Sequence, residues 1–141
     1  MEPRRSSWTG REAPRLVEVR LPAVTRWGTP QGEETHLVEP EHEAALRRFV
    51  GYAVRNARFA LVSYLACALL ALAGALLGPR TPTGGLLLVL GLLLLGASLV
   101  AYPFATPETV ARLGFRRSRN LARVVGVCVW LLAIVIAAIG G

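Results

Sequence analysis

Polar and apolar positions divide this chain near residue 58. Beyond that point three runs carry no Asp, Glu, Lys or Arg: Phe59 to Pro79, Thr81 to Pro107 and Val124 to Gly141. Each holds a mainly apolar stretch of about 17 to 21 residues, enough to cross ~30 Å of hydrocarbon at ~1.5 Å per residue. Leu86 to Leu95 is apolar on every side, where a helix of a soluble bundle would show a stripe. The pattern predicts an all-α integral membrane protein with three transmembrane helices, at about 59–78, 86–102 and 122–140. Residues 41–141 make up this membrane domain, and residues 1–40 form a polar segment before it.

The polar segment has its own periods. Val17, Val19 and Leu21 alternate with Glu18 and Arg20, a strand signal, and Thr35 to Val38 reads as a second short strand. Thr29-Pro30-Gln31-Gly32 supplies turn chemistry between them, so a β-hairpin is expected. Forty residues bury little core alone, so the hairpin needs a surface, either the second loop or another protein. Residues 1 to 14, rich in Arg, Ser, Pro and Glu, read as disordered.

The first helix is expected to start well before the membrane. Pro40 suits a first helical position, and Glu41 and Glu43 complement the helix N-terminus. Leu46, Phe49, Val50, Ala53, Val54 and Ala57 form one stripe, with Arg47, Arg48, Arg55 and Arg58 on the opposite arc. Two arrangements fit: one continuous helix from about Glu41 to Leu77, or a bend near Gly51 that lays residues 41 to 56 on the inner leaflet. In the second loop, Thr106 reads as an N-cap, Pro107 as the first helical residue, Glu108 as a dipole partner and Gly114 as a stop. A short amphipathic helix over 107–113 follows, with Ser118 as the cap of the third span.

Charge sets the orientation. Ten arginines precede the first span, the loop from Pro79 to Gly85 holds only Arg80, and the second loop holds Arg112, Arg116, Arg117, Arg119 and Arg123. This bias puts the N-terminus and the second loop in the cytoplasm and the C-terminus outside, as a multi-pass protein of the plasma (cytoplasmic) membrane. No cleavable signal peptide is visible, so Met1 is expected to be retained. Arg47, Arg48, Arg55, Arg58, Arg116, Arg117, Arg119 and Arg123 serve either to fix this topology or to reach anionic-lipid phosphates. All 16 basic residues are Arg, which fits a GC-rich codon supply. The net charge of +7 needs no nucleic acid, because cytoplasmic loops beside a membrane are normally Arg-rich, so no nucleic-acid partner is expected.

Candidate chemistry is sparse. The spans carry no Asp, Glu, Lys, Arg or His, which proton relays and ion-coupled transport normally need at depth. His36 and His42, with Glu39, Glu41 and Glu43, are too loosely spaced for a specific metal site. Cys67 and Cys128 read as packing cysteines with no disulfide between them, and Trp130 as packed within the chain. No cofactor is expected, and no catalytic residue, so the chain is not expected to be an enzyme.

Small residues, by contrast, recur at helical spacing. Ser63, Cys67, Ala71 and Ala75 share one face of the first span, with Gly74 and Gly78 beside them. Gly91 and Ser98 mark the second span, and Gly126, Ala133 and Ala137 the third. Such faces let membrane helices approach closely. The pattern therefore points to a non-catalytic accessory or scaffolding subunit, partnered by lipid and by other membrane subunits or copies of itself. The alternative is a small oligomeric channel or exporter lined by Ser63, Ser98 and Tyr102.

Overall fold

A computed structural model describes residues 5–24, 29–104 and 107–140. The order is strand β1 (Val17–Val24), strand β2 (Pro30–Val38), a single 3₁₀ turn (Pro40–His42), then helices α1 (Glu43–Leu77), α2 (Pro82–Ala101) and α3 (Pro107–Gly140). The fold is mostly helical, and all three helices are long and apolar enough to span a membrane. The chain separates into two units. One comprises Met1–Arg58 with Phe104–Leu121, the other Phe59–Pro103 with Ala122–Gly141.

In the first, polar unit, β1 and β2 pair antiparallel, from Val17 opposite Val38 to Ala23 opposite Gly32. Both strands run further than the alternation alone suggests. Pro30, Gln31 and Gly32 belong to β2 rather than to the turn. Val24 pairs with Pro30, so Gln31 is the extra residue of a bulge, and Gly32 takes the positive φ of 97°. Val19 and Leu21 are buried while Glu18 and Arg20 are exposed, as the alternation requires.

The hairpin finds its surface inside the chain. Val19, Leu21 and Val38 pack with Trp8 and with Leu46 and Val50 of α1, and Phe49, Val54 and Phe115 close the edge. Leu46 and Val38 are both fully buried. The apolar stripe on the start of α1 therefore covers a small protein core, and its arginines all face outward. α1 passes Gly51 as unbroken helix.

Residues 5–14 are not disordered, contrary to their composition. Ser6 N–H donates to Arg11 O at 2.9 Å and Gly10 N–H to Ser6 O at 2.8 Å, closing a tight loop. Ser7 N–H then reaches Leu37 O at 2.7 Å, which fixes the loop to β2. Trp8 is the anchor, 5% exposed. An aromatic ring of this size outweighs the polar residues around it once a pocket exists.

In the second, apolar unit, α1 ends at Leu77 and Gly78 takes φ 92°, the left-handed position that stops a helix. Thr81 opens α2. Its Oγ1 accepts from Gly84 N–H at 3.1 Å, with Pro82 at the first helical position.

Candidate functional site

Two features stand out in the structure: the seams between the apolar helices, and a loop that clasps the polar unit. The seams are built on glycine. A Cβ on Gly91 would lie 2.7 Å from Ala71 Cα, inside the backbone of α1. On Gly74 it would collide with Leu88 N and lie 2.6 Å from Gly84 O. Gly96 and Gly126 form the matching pair between α2 and α3, where a Cβ on Gly96 would lie 2.7 Å from Gly126 O. Contacts this close gain dispersion along the whole backbone, the main source of helix association in lipid.

Cys67, Ala71, Gly74, Gly91, Gly126 and Ala133 are each buried, and Gly91 meets Ala71 directly. Ser63 Oγ and Ser98 Oγ meet at 2.8 Å, an interhelix hydrogen bond. Tyr64 OH donates to Tyr102 O. Ala75 and Ala137 are exposed instead, and Gly78 acts at the helix stop rather than at a packing face. Cys128 is exposed, so of the two free cysteines only Cys67 packs in the interior. Trp130 is also corrected in part: its backbone N and Cβ abut Gly96, but the residue is 48% exposed.

Gly84, Gly96 and Ala60 are packing residues that the small-residue pattern did not single out. A signal for Gly84 existed, because Gly84, Gly91 and Ser98 are spaced by seven and share a face. Gly96 lies on the far side of α2 and carried no partner in its own helix.

The clasp lies in the polar unit. α3 breaks at Gly114, with φ 76° and ψ 162°. The helix that restarts there has free N–H groups. Phe115 N–H donates to Ser7 O at 2.9 Å and Arg116 N–H to Trp8 O at 3.0 Å. Backbone from the N-terminal loop thus caps this helix. Ser118, expected as the cap, instead lies within the helix, buried, and its Oγ donates to Thr109 O at 3.3 Å across the break. Thr106 lies outside the described residues.

Glu39 locks the other side of the loop. Its carboxylate accepts from Ser6 Oγ and, at 2.8 Å, from Thr9 Oγ1. Burial pushes this carboxyl up, but hydrogen bonds from Ser6, its own backbone and Thr9, with the nearby His42, outweigh that and hold it below the ordinary value of 4.5. His36 packs edge-on against Phe115, ring centroids 5.5 Å apart. Burial lowers its pKa below 6.5, and Glu34 only partly offsets this.

Both shifts have one sign. Each group binds protons more readily unfolded than folded, so its stabilisation is present above the unfolded value and lost as pH falls. The polar unit should therefore lose stability below about pH 6.5 through His36 and again below about 4.5 through Glu39. Glu39→Gln should cost about 1 kcal/mol at pH 7 and flatten the lower limb. An unchanged acid limb in that variant would assign it elsewhere.

The arginines divide in use. Arg119 is drawn into the polar unit, its guanidinium carbon 5.7 Å from the Trp8 centroid and 5.9 Å from Phe49. Arg47 pairs with Glu43 at 2.8 Å. Arg48, Arg55, Arg58, Arg116, Arg117 and Arg123 are exposed. His42 is 3.7 Å from Glu41 in a partly exposed pair of small energetic weight. Among the described residues no three His, Cys, Asp or Glu side chains come together in a way that would hold a metal.

Comparison of the chain with known protein families, with curated proteins and with solved structures gave no match.

Proposed function

We propose that this chain is a non-catalytic integral membrane protein, an accessory or scaffolding subunit, with its polar unit in the cytoplasm. The observation that carries this is how the span hydroxyls and small residues are used. Ser63 and Ser98 bond each other at 2.8 Å, and Gly74, Gly91, Gly96 and Gly126 bring helix backbones into contact. Those side chains serve packing, which favours a scaffold over a pore lined by Ser63, Ser98 and Tyr102. The Arg-rich flanks support the N-in orientation, because positive loops are retained on the cytoplasmic side.

Because the seams are largely filled by the chain's own helices, partners are expected on the exposed parts of the polar unit and on the lipid-facing sides. The deciding experiment is native co-purification of a tagged copy from its own membranes, with mass spectrometry of what accompanies it. A companion in fixed stoichiometry, or a defined multiple of 15.2 kDa, is the expected result. A lone monomer both in mild detergent and in native membranes would overturn it, and solute flux in reconstituted vesicles would move the assignment to a channel.

A further inference from the structure

The geometry points to a binding site for an anionic phospholipid headgroup on α1, formed by Arg55 and Arg58. It requires α1 to cross a bilayer and is independent of which protein the chain accompanies.

At about 100° per residue, Arg48, Arg55 and Arg58 fall within one arc of α1 about 80° wide. Further along the helix the same arc carries Val62, Leu69 and Leu76, exposed by 64%, 64% and 78%. Exposed apolar side chains on a spanning helix face lipid. The two arginines therefore stand on the lipid-facing side of α1. They also lie at the depth of the headgroups, since Arg58 immediately precedes the charge-free run from Phe59 and Arg55 is one turn behind it.

Their charge is uncompensated. Among the described residues neither Arg55 nor Arg58 has a carboxylate within ion-pair distance, whereas Arg47, on the same helix, is paired with Glu43. Arg55 Nε–H donates to Gly51 O at 3.1 Å, which lays the side chain along the helix and leaves the two terminal nitrogens free. A guanidinium presents paired donors that match phosphate oxygens. Two of them three residues apart suit a headgroup with net negative charge better than a zwitterionic one, whose own cation opposes them.

An arginine near an anionic surface is worth about fivefold in affinity, so the pair should give ~25-fold preference. The test uses the full-length protein, delipidated in mild detergent and titrated with phosphatidylglycerol or phosphatidylcholine of identical chains, with adducts counted by native mass spectrometry. Wild type should retain phosphatidylglycerol at least tenfold better. Arg55→Gln with Arg58→Gln should bring the two lipids within about threefold, and Arg55→Lys with Arg58→Lys should fall between that pair and wild type, keeping the charge without the paired donors. Arg47→Gln should leave it unchanged.

Equal retention of both lipids by wild type, or an undiminished preference in the glutamine pair, overturns the site. Displacement of the lipid by inorganic phosphate at equal concentration also overturns it, because the ligand would then be soluble. Melting profiles accompany each variant. If the glutamine pair does not fold, Arg58→Gln alone carries the test, with a fall of about fivefold expected.

Discussion

Gly91→Leu should separate α1 from α2 and lower the stability of the apolar unit by about 3 kcal/mol or more. The new side chain has nowhere to go. Its Cβ alone would fall 2.7 Å from Ala71 Cα and 2.9 Å from Ala71 Cβ, and backbone atoms cannot rotate aside as a flexible side chain can. The helix itself would gain, since leucine is about 1 kcal/mol better than glycine in a helix interior. That gain works against the clash and sets a strict test, because only loss of helix contact can make the net effect unfavourable. Gly91→Ala should show the same sign with a smaller size. Leu90→Ala, one residue away and 42% exposed, should change little. Thermal unfolding in detergent followed by circular dichroism reads all three, and a Gly91→Leu protein as stable as wild type would show that α1 and α2 do not meet at this seam.

Trp8→Ala should unfold the polar unit while leaving the spans helical. Among the described residues, Trp8 shares its buried cluster with Val19, Leu21, Val38, Leu46 and Val50. Its ring meets Phe49 edge-on at 6.2 Å and lies beneath Arg119. Its backbone carbonyl caps Arg116. Truncating a buried tryptophan costs about 3–5 kcal/mol, and a core this small has little else to hold it. Trypsin should then cleave at Arg20, which the pairing of β1 with β2 protects in the folded protein, while far-UV helicity falls only slightly. Trp8→Phe should retain part of the protection. If the alanine variant resists trypsin as wild type does, the N-terminal loop is not what holds the hairpin.

The same two residues show how legibility divides along the chain. Gly91 was visible in the sequence, because a glycine within a run of leucines has no local reason to be there. Trp8 was not, because it sits among Arg, Ser, Pro and Glu, a composition that reads as disordered. Its partners are Leu46 and Val50, about 40 residues away, and Phe115, more than 100 away. Ser118 failed for a related reason. A serine before a helical run is a sound local cap, but the helix already had its N–H groups met by Ser7 O and Trp8 O, supplied from the other end of the chain. The turn at Thr29 to Gly32 was displaced by a bulge, since Gly32 used its positive φ inside β2.

By itself the sequence determined the three apolar helices, the alternation of β1, the stripe on the start of α1 and the outward set of its arginines. These follow from periods of 2 and 3.6 residues and from hydrocarbon thickness, all of which act within one continuous stretch of chain. Only the tertiary structure decided which small residues face a neighbouring helix and which face outward, so that Ala133 is buried and Ala137 is not. It also decided that residues 5–14 fold, that Arg119 leaves the exposed arginines for two aromatic rings, and that the hairpin rests on α1 and Phe115. Each of these depends on which distant segment arrives at a given face, and no window of neighbouring residues contains that information.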